Sequence, residues 1–449
     1  MQSSKDEIFQ IIDDEIIRQS EGLELIPSEN YVSGDVLRAM GSVLTNKYSE
    51  GYPGKRYYGG NQNIDRIERL AIERARQLFQ ADHANVQPHS GANANEAVYF
   101  AWCKPGDTIL AMSLPAGGHL THGSPVTRSA KIYNFIGYGV DDNGDIDYSD
   151  LERLAKEHQP KLILVGYSAF MKIPDFQRVR EIADRVLDNP EETILMADMA
   201  HVAGLIAGGA HPNPLGFGFN VMTTTTHKTL RGPRGGLILS QGKVSNPLHK
   251  VDHTIENLPT LIDRAVFPGT QGGPLEHVIA AKAVAFGEDL RPEFRTYAQN
   301  IVKNAKTLAR ELATGGFILQ GDGTENHLIL VNVKDSFGID GKTYEVALDK
   351  VGLTLNANAL PSDKGGAFRP SGVRLGTPAM TTRGLGEAEM KTVANWMKQV
   401  AEICSQAHEQ QPEETGDEAL LVPYEDSLAQ IRTEVRELAL KFPLPATSC

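Results

Sequence analysis

Residues 194–204 read ILMADMAHVAG and residues 220–236 read NVMTTTTHKTLRGPRGG. Each opens on a run of apolar or β-branched residues of strand length, and each closes on a chemically equipped side chain, Asp198 in the first and Lys228 in the second. A carboxylate ending one strand and a lysine ending another is the layout that holds pyridoxal phosphate. The lysine takes the aldehyde as a Schiff base, the carboxylate pairs with the pyridinium nitrogen, and the ring then accepts the electrons of a carbanion. A lone aspartate or lysine is more often a turn cap or a surface charge, so the pair gains meaning only from its surroundings.

Outward from the pair, strand-like runs recur at TILAMS (108–113), KIYNF (131–135), KLILVG (161–166), TILMA (193–197), NVMTTTT (220–226) and GLILS (236–240). Segments of helical period, DYSDLERLAKEH and FQRVREIADRVL, fall between some of them. Such alternation predicts an α/β domain with a mostly parallel sheet covered on both faces. Ligands then belong at the carboxyl ends of the strands, where Asp198 and Lys228 stand.

The chain has 449 residues, beyond the range of one small core, which predicts two domains. The expected division is an N-terminal arm and helix over 1–43, a large α/β domain over 44–289, and a smaller α+β domain over 290–449 with an acidic linker near 412–418. Ile8, Ile11, Ile12 and Ile16 put one apolar stripe on the N-terminal helix, to dock either on a partner subunit or on its own chain. A long helical region is expected from Gly273 onward. Leu428, Ile431, Val435 and Leu438 predict a final amphipathic helix.

A net charge of −13 offers no global basic field for nucleic acid or an anionic membrane, and no apolar run approaches the ~20 residues that span a bilayer. Cys103, Cys404 and Cys449 lack the paired spacings of a zinc site or a disulfide framework. The first residues mix acids into an amphipathic pattern, unlike a secretory signal or a transit peptide. A cytoplasmic protein without a metal is the expectation.

Ser90, Gly91 and Ala92 in HSGANANEAVYF (89–100) stand where a helix should start. The glycine lets an anion approach the bare amides, so the segment is either a phosphate site or a plain cap. FPGTQGGP (267–274) offers further amides at Gly272 and Gly273, or a tight turn. His119 and His122 in GGHLTHG (117–123) lack a neighbouring third ligand in sequence. A flat imidazole against an aromatic cofactor suits His119 better, and His201 follows Asp198 closely enough to face the same ligand. Arg374 in SGVRLGTPAMTTRG (371–384) is a carboxylate clamp or a salt-bridged structural arginine. YSEGYPGKRYYGGN (48–61) has no regular period and carries more functional groups than a simple connection needs.

Together these segments, with LIPSENY, ANVQPHSG and VFPGTQGGPLEHVIA, resemble the serine hydroxymethyltransferase family from residue 23 into the 380s. The resemblance implies a fold-type I pyridoxal-phosphate transferase, similar to aspartate aminotransferase, with a seven-stranded sheet. It implies reversible transfer of the serine hydroxymethyl group to tetrahydrofolate, giving glycine and 5,10-methylenetetrahydrofolate through aldimine and quinonoid stages. Lys228 would carry the internal aldimine, Asp198 the pyridinium contact and His119 the ring stacking, with His201 and Ser168 beside the phenolic oxygen. Ser90, Gly91, Ala92 and His227 would surround the phosphate, joined by Tyr48, Gly272 and Gly273 of a neighbouring subunit. Ser28 and Arg374 would hold the substrate carboxylate. Glu50, Tyr57 and Tyr58 would come from that neighbour, with Glu50, Tyr58, His201 and Thr225 in the catalytic set. Tyr57, Leu114, Gly118, Leu120, Asn358 and Phe368 match the folate pocket. The resemblance further implies a homodimer with shared sites, or a tetramer built from it.

The sequence departs from the family pattern at Ala92, Asn93, Pro115, Ala116, Phe170, Met171, Lys172, Glu276 and Ala357. Two other readings follow: a folate-independent aldolase for β-hydroxy amino acids, and a cofactor-poor relative with a binding role. Retention of Lys228, Asp198, Arg374 and Glu50 argues against the second, and Glu50, Tyr57 and Asn358 against the first.

Overall fold

Seven strands pair into one sheet: β1 His83–Asn85, β2 Thr108–Met112, β3 Asn134–Tyr138, β4 Leu162–Gly166, β5 Ile194–Asp198, β6 Val221–Thr225 and β7 Gly236–Ser240. Their order is β1-β7-β6-β5-β4-β2-β3. β2 to β6 run parallel to one another, while β7 is antiparallel to both β6 and β1. Every residue of β4, β5, β6 and β7 is buried, as a sheet covered on both faces requires. This computed structural model describes residues 6–141, 143–244, 251–360, 363, 369–411 and 416–446.

Two boundaries differ from the sequence expectation. The strand expected at 131–135 starts instead at Asn134, opposite Thr108. Residues Ser129–Lys131 form a 3-10 turn, and the Ser129 carbonyl accepts from the amides of Ile132 and Tyr133. The long helix expected from Gly273 is two helices, Glu276–Asp289 and Pro292–Thr314. Pro292 has no amide hydrogen to continue a ladder and begins the second instead.

The helices that flank the sheet follow their caps and apolar spacing. Asp147 accepts from the amides of Ser149 and Asp150 at the start of Tyr148–His158, and Asp175 caps Phe176–Val186, which buries Phe176, Val179, Ile182 and Ala183. Helix Gly91–Trp102 turns Ala94, Val98 and Trp102 into a core shared with Ile109, Leu162, Leu164, Ile194, Met196 and Ile238. Each such aliphatic side chain contributes about 1.5–3 kcal/mol on burial.

The chain forms two compact units, Val32–Gln299, and Met1–Tyr31 together with Asn300–Ser448. The second is built on an antiparallel sheet of β8 Ile318–Leu319, β9 Leu328–Asn332, β10 Asn356–Asn358 and β11 Gly372–Gly376, in the order β8-β9-β11-β10. A two-residue parallel bridge pairs Leu23 with Leu353 and Glu24 with Thr354, which brings Leu23 and Leu25 into the same apolar cluster as β9 and β11. The N-terminal helix Glu7–Glu21 exposes Ile8, Phe9, Ile11 and Ile12. The final helix, Glu425–Lys441, buries Leu428, Ile431 and Val435. Of the acidic stretch 412–418, residues 412–415 lie outside the described residues. Asp417 opens the short helix Asp417–Leu421 and bonds Thr343 Oγ1 at 2.7 Å and Arg369 at 3.1 Å.

Candidate active site

β5 and β6 are parallel neighbours with Asp198 level with Thr223, so the segments that leave their carboxyl ends emerge side by side. Three hydrogen bonds lace those segments together. Thr229 Oγ1 donates to the His201 carbonyl and accepts from the Gly204 amide, both at 2.9 Å, and Thr225 Oγ1 donates to the Ala200 carbonyl at 3.3 Å. Lys228 begins a loop closed by the Thr226 amide on the Gly235 carbonyl at 3.1 Å and the Gly232 amide on the Thr226 carbonyl at 2.8 Å. Arg231 in that loop has a left-handed φ of 53°, which costs a non-glycine residue stability. Its guanidinium lies 4.0 Å from the centroid of the Tyr297 ring, a contact that offsets part of the cost. Asp198 and Lys228 are 8% and 9% exposed.

Burial by itself would raise the Asp198 carboxyl. The hydrogen bond and charge of His122, then the charge of His119 and the amide of Asn95, hold it well below the usual carboxylate range. His122 Nε2 stands 3.0 Å from Asp198 Oδ2 and Asn95 Nδ2 donates to the same oxygen at 2.8 Å. Asn95 also donates to Thr121 Oγ1 and accepts from Thr223 Oγ1, and Thr121 Oγ1 is 2.8 Å from His119 Nδ1. His119, His122 and Asp198 present ligand atoms within 4.8 Å of one another, and these hydrogen bonds already engage Asp198 Oδ2, His122 Nε2 and His119 Nδ1. Ser168 is placed by its amide, which donates to the Gly117 carbonyl at 2.7 Å.

Ser90 caps helix Gly91–Trp102 by accepting from the Asn93 amide. A Cβ on Gly91 would stand 2.7 Å from Thr225 Cγ2, so the helix start abuts the strand that leads to Lys228. His227 Nδ1 and His89 Nε2 are buried and have no hydrogen-bond partner among the described residues. Burial, followed by the charges of Arg234, Lys228 and Lys282, pushes His227 down to about 3. It is therefore neutral at physiological pH.

A second group gathers Tyr48, Glu50 and Tyr58. The Tyr48 hydroxyl is 3.4 Å from Glu50 Oε1, the Tyr58 hydroxyl 3.5 Å from Glu50 Oε2, and the two rings meet edge to face at 5.3 Å. Gly272 and Gly273 back this group: a Cβ on either would lie 3.4 Å from Glu50 Oε1 or 3.0 Å from Tyr48 Cζ. Tyr57 packs on Phe267 at 5.7 Å and is 73% exposed. Leu114 and Leu120 are exposed, while Gly118 leaves no room for a Cβ against the Met112 carbonyl.

In the unit built on the antiparallel sheet, Arg374 is central in β11, opposite Asn356, whose Oδ1 accepts from Arg374 Nε at 3.1 Å. Burial lowers the guanidinium to about 10, leaving it charged. The Gly376 amide donates to the Leu25 carbonyl at 2.7 Å, and Pro27 packs against Gly376, which brings the turn of Ser28 to the end of the Arg374 strand. Asn358 is level with Gly372. Phe368 lies outside the described residues.

The family profile described as serine hydroxymethyltransferase matches residues 1–397. The chain belongs to the serine hydroxymethyltransferase family. It is similar to serine hydroxymethyltransferase 1 of Pseudomonas savastanoi pv. phaseolicola, 54% identical over 391 residues, covering 87% of this chain and 89% of the relative. The serine hydroxymethyltransferase of Dichelobacter nodosus is 50% identical over 438 residues, covering 98% and 96%. Serine hydroxymethyltransferase 1 of Pseudomonas aeruginosa is 50% identical over 440 residues, covering 98% and 97%.

The serine hydroxymethyltransferase family depends on pyridoxal phosphate and uses tetrahydrofolate as co-substrate. The residues present suit that cofactor: a carboxylate held ionised in a buried setting, a buried lysine beyond the neighbouring strand, a helix start bared by Gly91, and an orphaned nitrogen on neutral His227. Four residues that brace this candidate site escaped the sequence reading: Asn95, Thr121, Thr223 and Thr229. His122 was weighed there only as a metal ligand. The second histidine of GGHLTHG was the one available signal, since nothing in sequence aims an asparagine in a helix at Asp198.

Proposed function

We propose that this chain is a serine hydroxymethyltransferase, moving the hydroxymethyl carbon of serine to tetrahydrofolate and leaving glycine, reversibly. The observation that carries the reading is the buried, doubly hydrogen-bonded Asp198 at the end of β5, beside the strand leading to Lys228, in a chain matched to that family over residues 1–397. Bound pyridoxal phosphate supplies an electron sink for cleavage of the serine Cα–Cβ bond.

Lys228 would hold the cofactor's aldehyde carbon, Asp198 its pyridinium nitrogen and His119 its ring face, with Ser168 and His201 beside the phenolic oxygen. Ser90, Gly91, Ala92 and His227 would take the phosphate together with Tyr48, Gly272 and Gly273 of a neighbouring subunit. Ser28 and Arg374 would fix the substrate carboxylate, a role suited to a fork already steadied by Asn356. Glu50 of the neighbouring subunit would move a proton at the serine hydroxyl or at the folate nitrogen, with Tyr58 hydrogen-bonded to it and His201 and Thr225 completing the catalytic set. Tyr57, Leu114, Gly118, Leu120, Asn358 and Phe368 would line the folate pocket. The large exposed side chains Ile8, Phe9, Tyr48, Tyr57 and Tyr58 support a homodimer with shared sites, which two dimers could extend to a tetramer. Buried, unpaired Cys103 and Cys404 suit a reducing cytoplasm, and among the described residues no helix is long and apolar enough to cross a membrane.

Purified protein loaded with pyridoxal phosphate is expected to be yellow and to form glycine from serine only when tetrahydrofolate is added. Protein that stays colourless after the cofactor is added rejects the enzyme reading. Equal cleavage of serine without folate rejects the transferase in favour of an aldolase.

A further inference from the structure

Helix Glu276–Asp289 buries a lysine. The Lys282 side chain is 1% exposed, and its Nζ donates to three backbone carbonyls: Val86 at 2.6 Å, Pro88 at 3.1 Å and Gly236 at 2.7 Å. Three acceptors around one nitrogen call for three N–H bonds, which an ammonium has and a neutral amine lacks. Among the described residues no carboxylate forms an ion pair with it, so the buried charge rests on three carbonyl dipoles with only the field of Glu68 to help, an arrangement that is costly. The stem is built in: a Cβ on Gly235 would lie 2.6 Å from Lys282 Cε.

The three carbonyls belong to two segments. Val86 and Pro88 lead directly into Ser90, the cap of helix Gly91–Trp102, and Gly236 opens β7 immediately after the loop that carries Lys228. The entry to the helix has a second, independent fastening in Gln271, whose Oε1 accepts from the His89 amide and whose Nε2 donates to the Gln87 carbonyl, both at 3.0 Å. The shape of the segment therefore does not depend on Lys282 alone.

We propose that Lys282 is a positioning residue for the cofactor's phosphate: it fixes the 86–90 segment against Gly236 and adds a buried positive charge behind the anion cradle at the start of helix Gly91–Trp102. This rests on the reading that the cradle takes the phosphate. The groups facing the ammonium are Glu68 from helix Gln62–Phe79, which favours its charged form, and His89 and His227, each lowered first by burial and then in part by the Lys282 charge. Both histidines are thereby kept from competing as cations, and burial brings Lys282 itself down to about 7.

The test titrates full-length protein stripped of cofactor with pyridoxal phosphate and with pyridoxal, which lacks the phosphate. Unmodified protein is compared with Lys282→Gln, which keeps amide donors without charge, and with Lys282→Met. The expected result is a loss of about ten-fold in preference for pyridoxal phosphate in Lys282→Gln and more in Lys282→Met, with pyridoxal affinity unchanged. Equal losses for the two ligands, or full retention of the preference, overturn the proposal. Unmodified protein without any preference overturns the cradle reading itself and this inference with it. Should both variants fail to fold, sulfate binding to pyridoxal-loaded unmodified protein decides. Sulfate keeps its charge between pH 6 and 8, so its affinity is expected to fall as the pH rises through about 7; a flat profile overturns the proposal.

Discussion

Glu276 is a carboxyl shut beneath the segment that carries Tyr48 and Glu50. Ser49 Oγ donates to its Oε1, and its Oε2 has no hydrogen-bond partner among the described residues. The nearby Arg56 guanidinium is already committed, at 2.9 Å to Asp65 and 2.5 Å to Glu68. Burial pushes Glu276 from 4.5 up to about 7. Because the folded protein binds this proton more tightly than the unfolded chain does, stability is complete below about 4.5 and declines as the pH climbs through about 7. Glu276→Gln removes that dependence. In denaturant unfolding it is expected to match the unmodified protein near pH 5 and to exceed it at pH 8 by up to about 3 kcal/mol. A variant less stable at pH 8 contradicts the assignment.

The element most exposed to a single change is helix Gly91–Trp102, whose first residue meets β6. In Gly91→Ala the new methyl carbon would stand 2.7 Å from Thr225 Cγ2, so the helix start must shift away from the loop of Lys228. The expected outcome is at least a ten-fold weaker hold on pyridoxal phosphate with a stability loss of about 1–3 kcal/mol, read by absorbance titration and thermal unfolding. Unaltered affinity removes Gly91 from the cradle. The long strands were legible because β4 to β7 are buried on both faces and so read as apolar or β-branched runs. β1 was not, because His83–Asn85 owes its strand character to pairing with Ile238–Ser240 rather than to its own pattern. The same division holds in the site. Lys228 and Asp198 could be seen at strand ends, whereas Asn95 and His122 acquire their aim only when the helix, the 117–123 loop and β5 converge.

For the whole molecule, the proposed sharing of a site between subunits makes a quantitative demand. Lys228→Ala and Glu50→Ala are each expected to be inactive alone. Unfolded together in equal amounts and refolded, half of the dimers would be mixed, each with one intact site, so about a quarter of the unmodified activity should return. No recovery means that each chain builds its site from its own residues. The pairing of Leu23 with Leu353 bears on biosynthesis. Leu23 and Leu25 finish in a cluster with β9 and β11, partners that a ribosome makes long after those leucines have left its tunnel. Leu23 and Leu25 therefore wait for those partners through synthesis of the entire seven-stranded sheet. Stalled chains ending before residue 353 are expected to leave Leu23 and Leu25 without their strand partner, read as chaperone capture that chains extended past it escape.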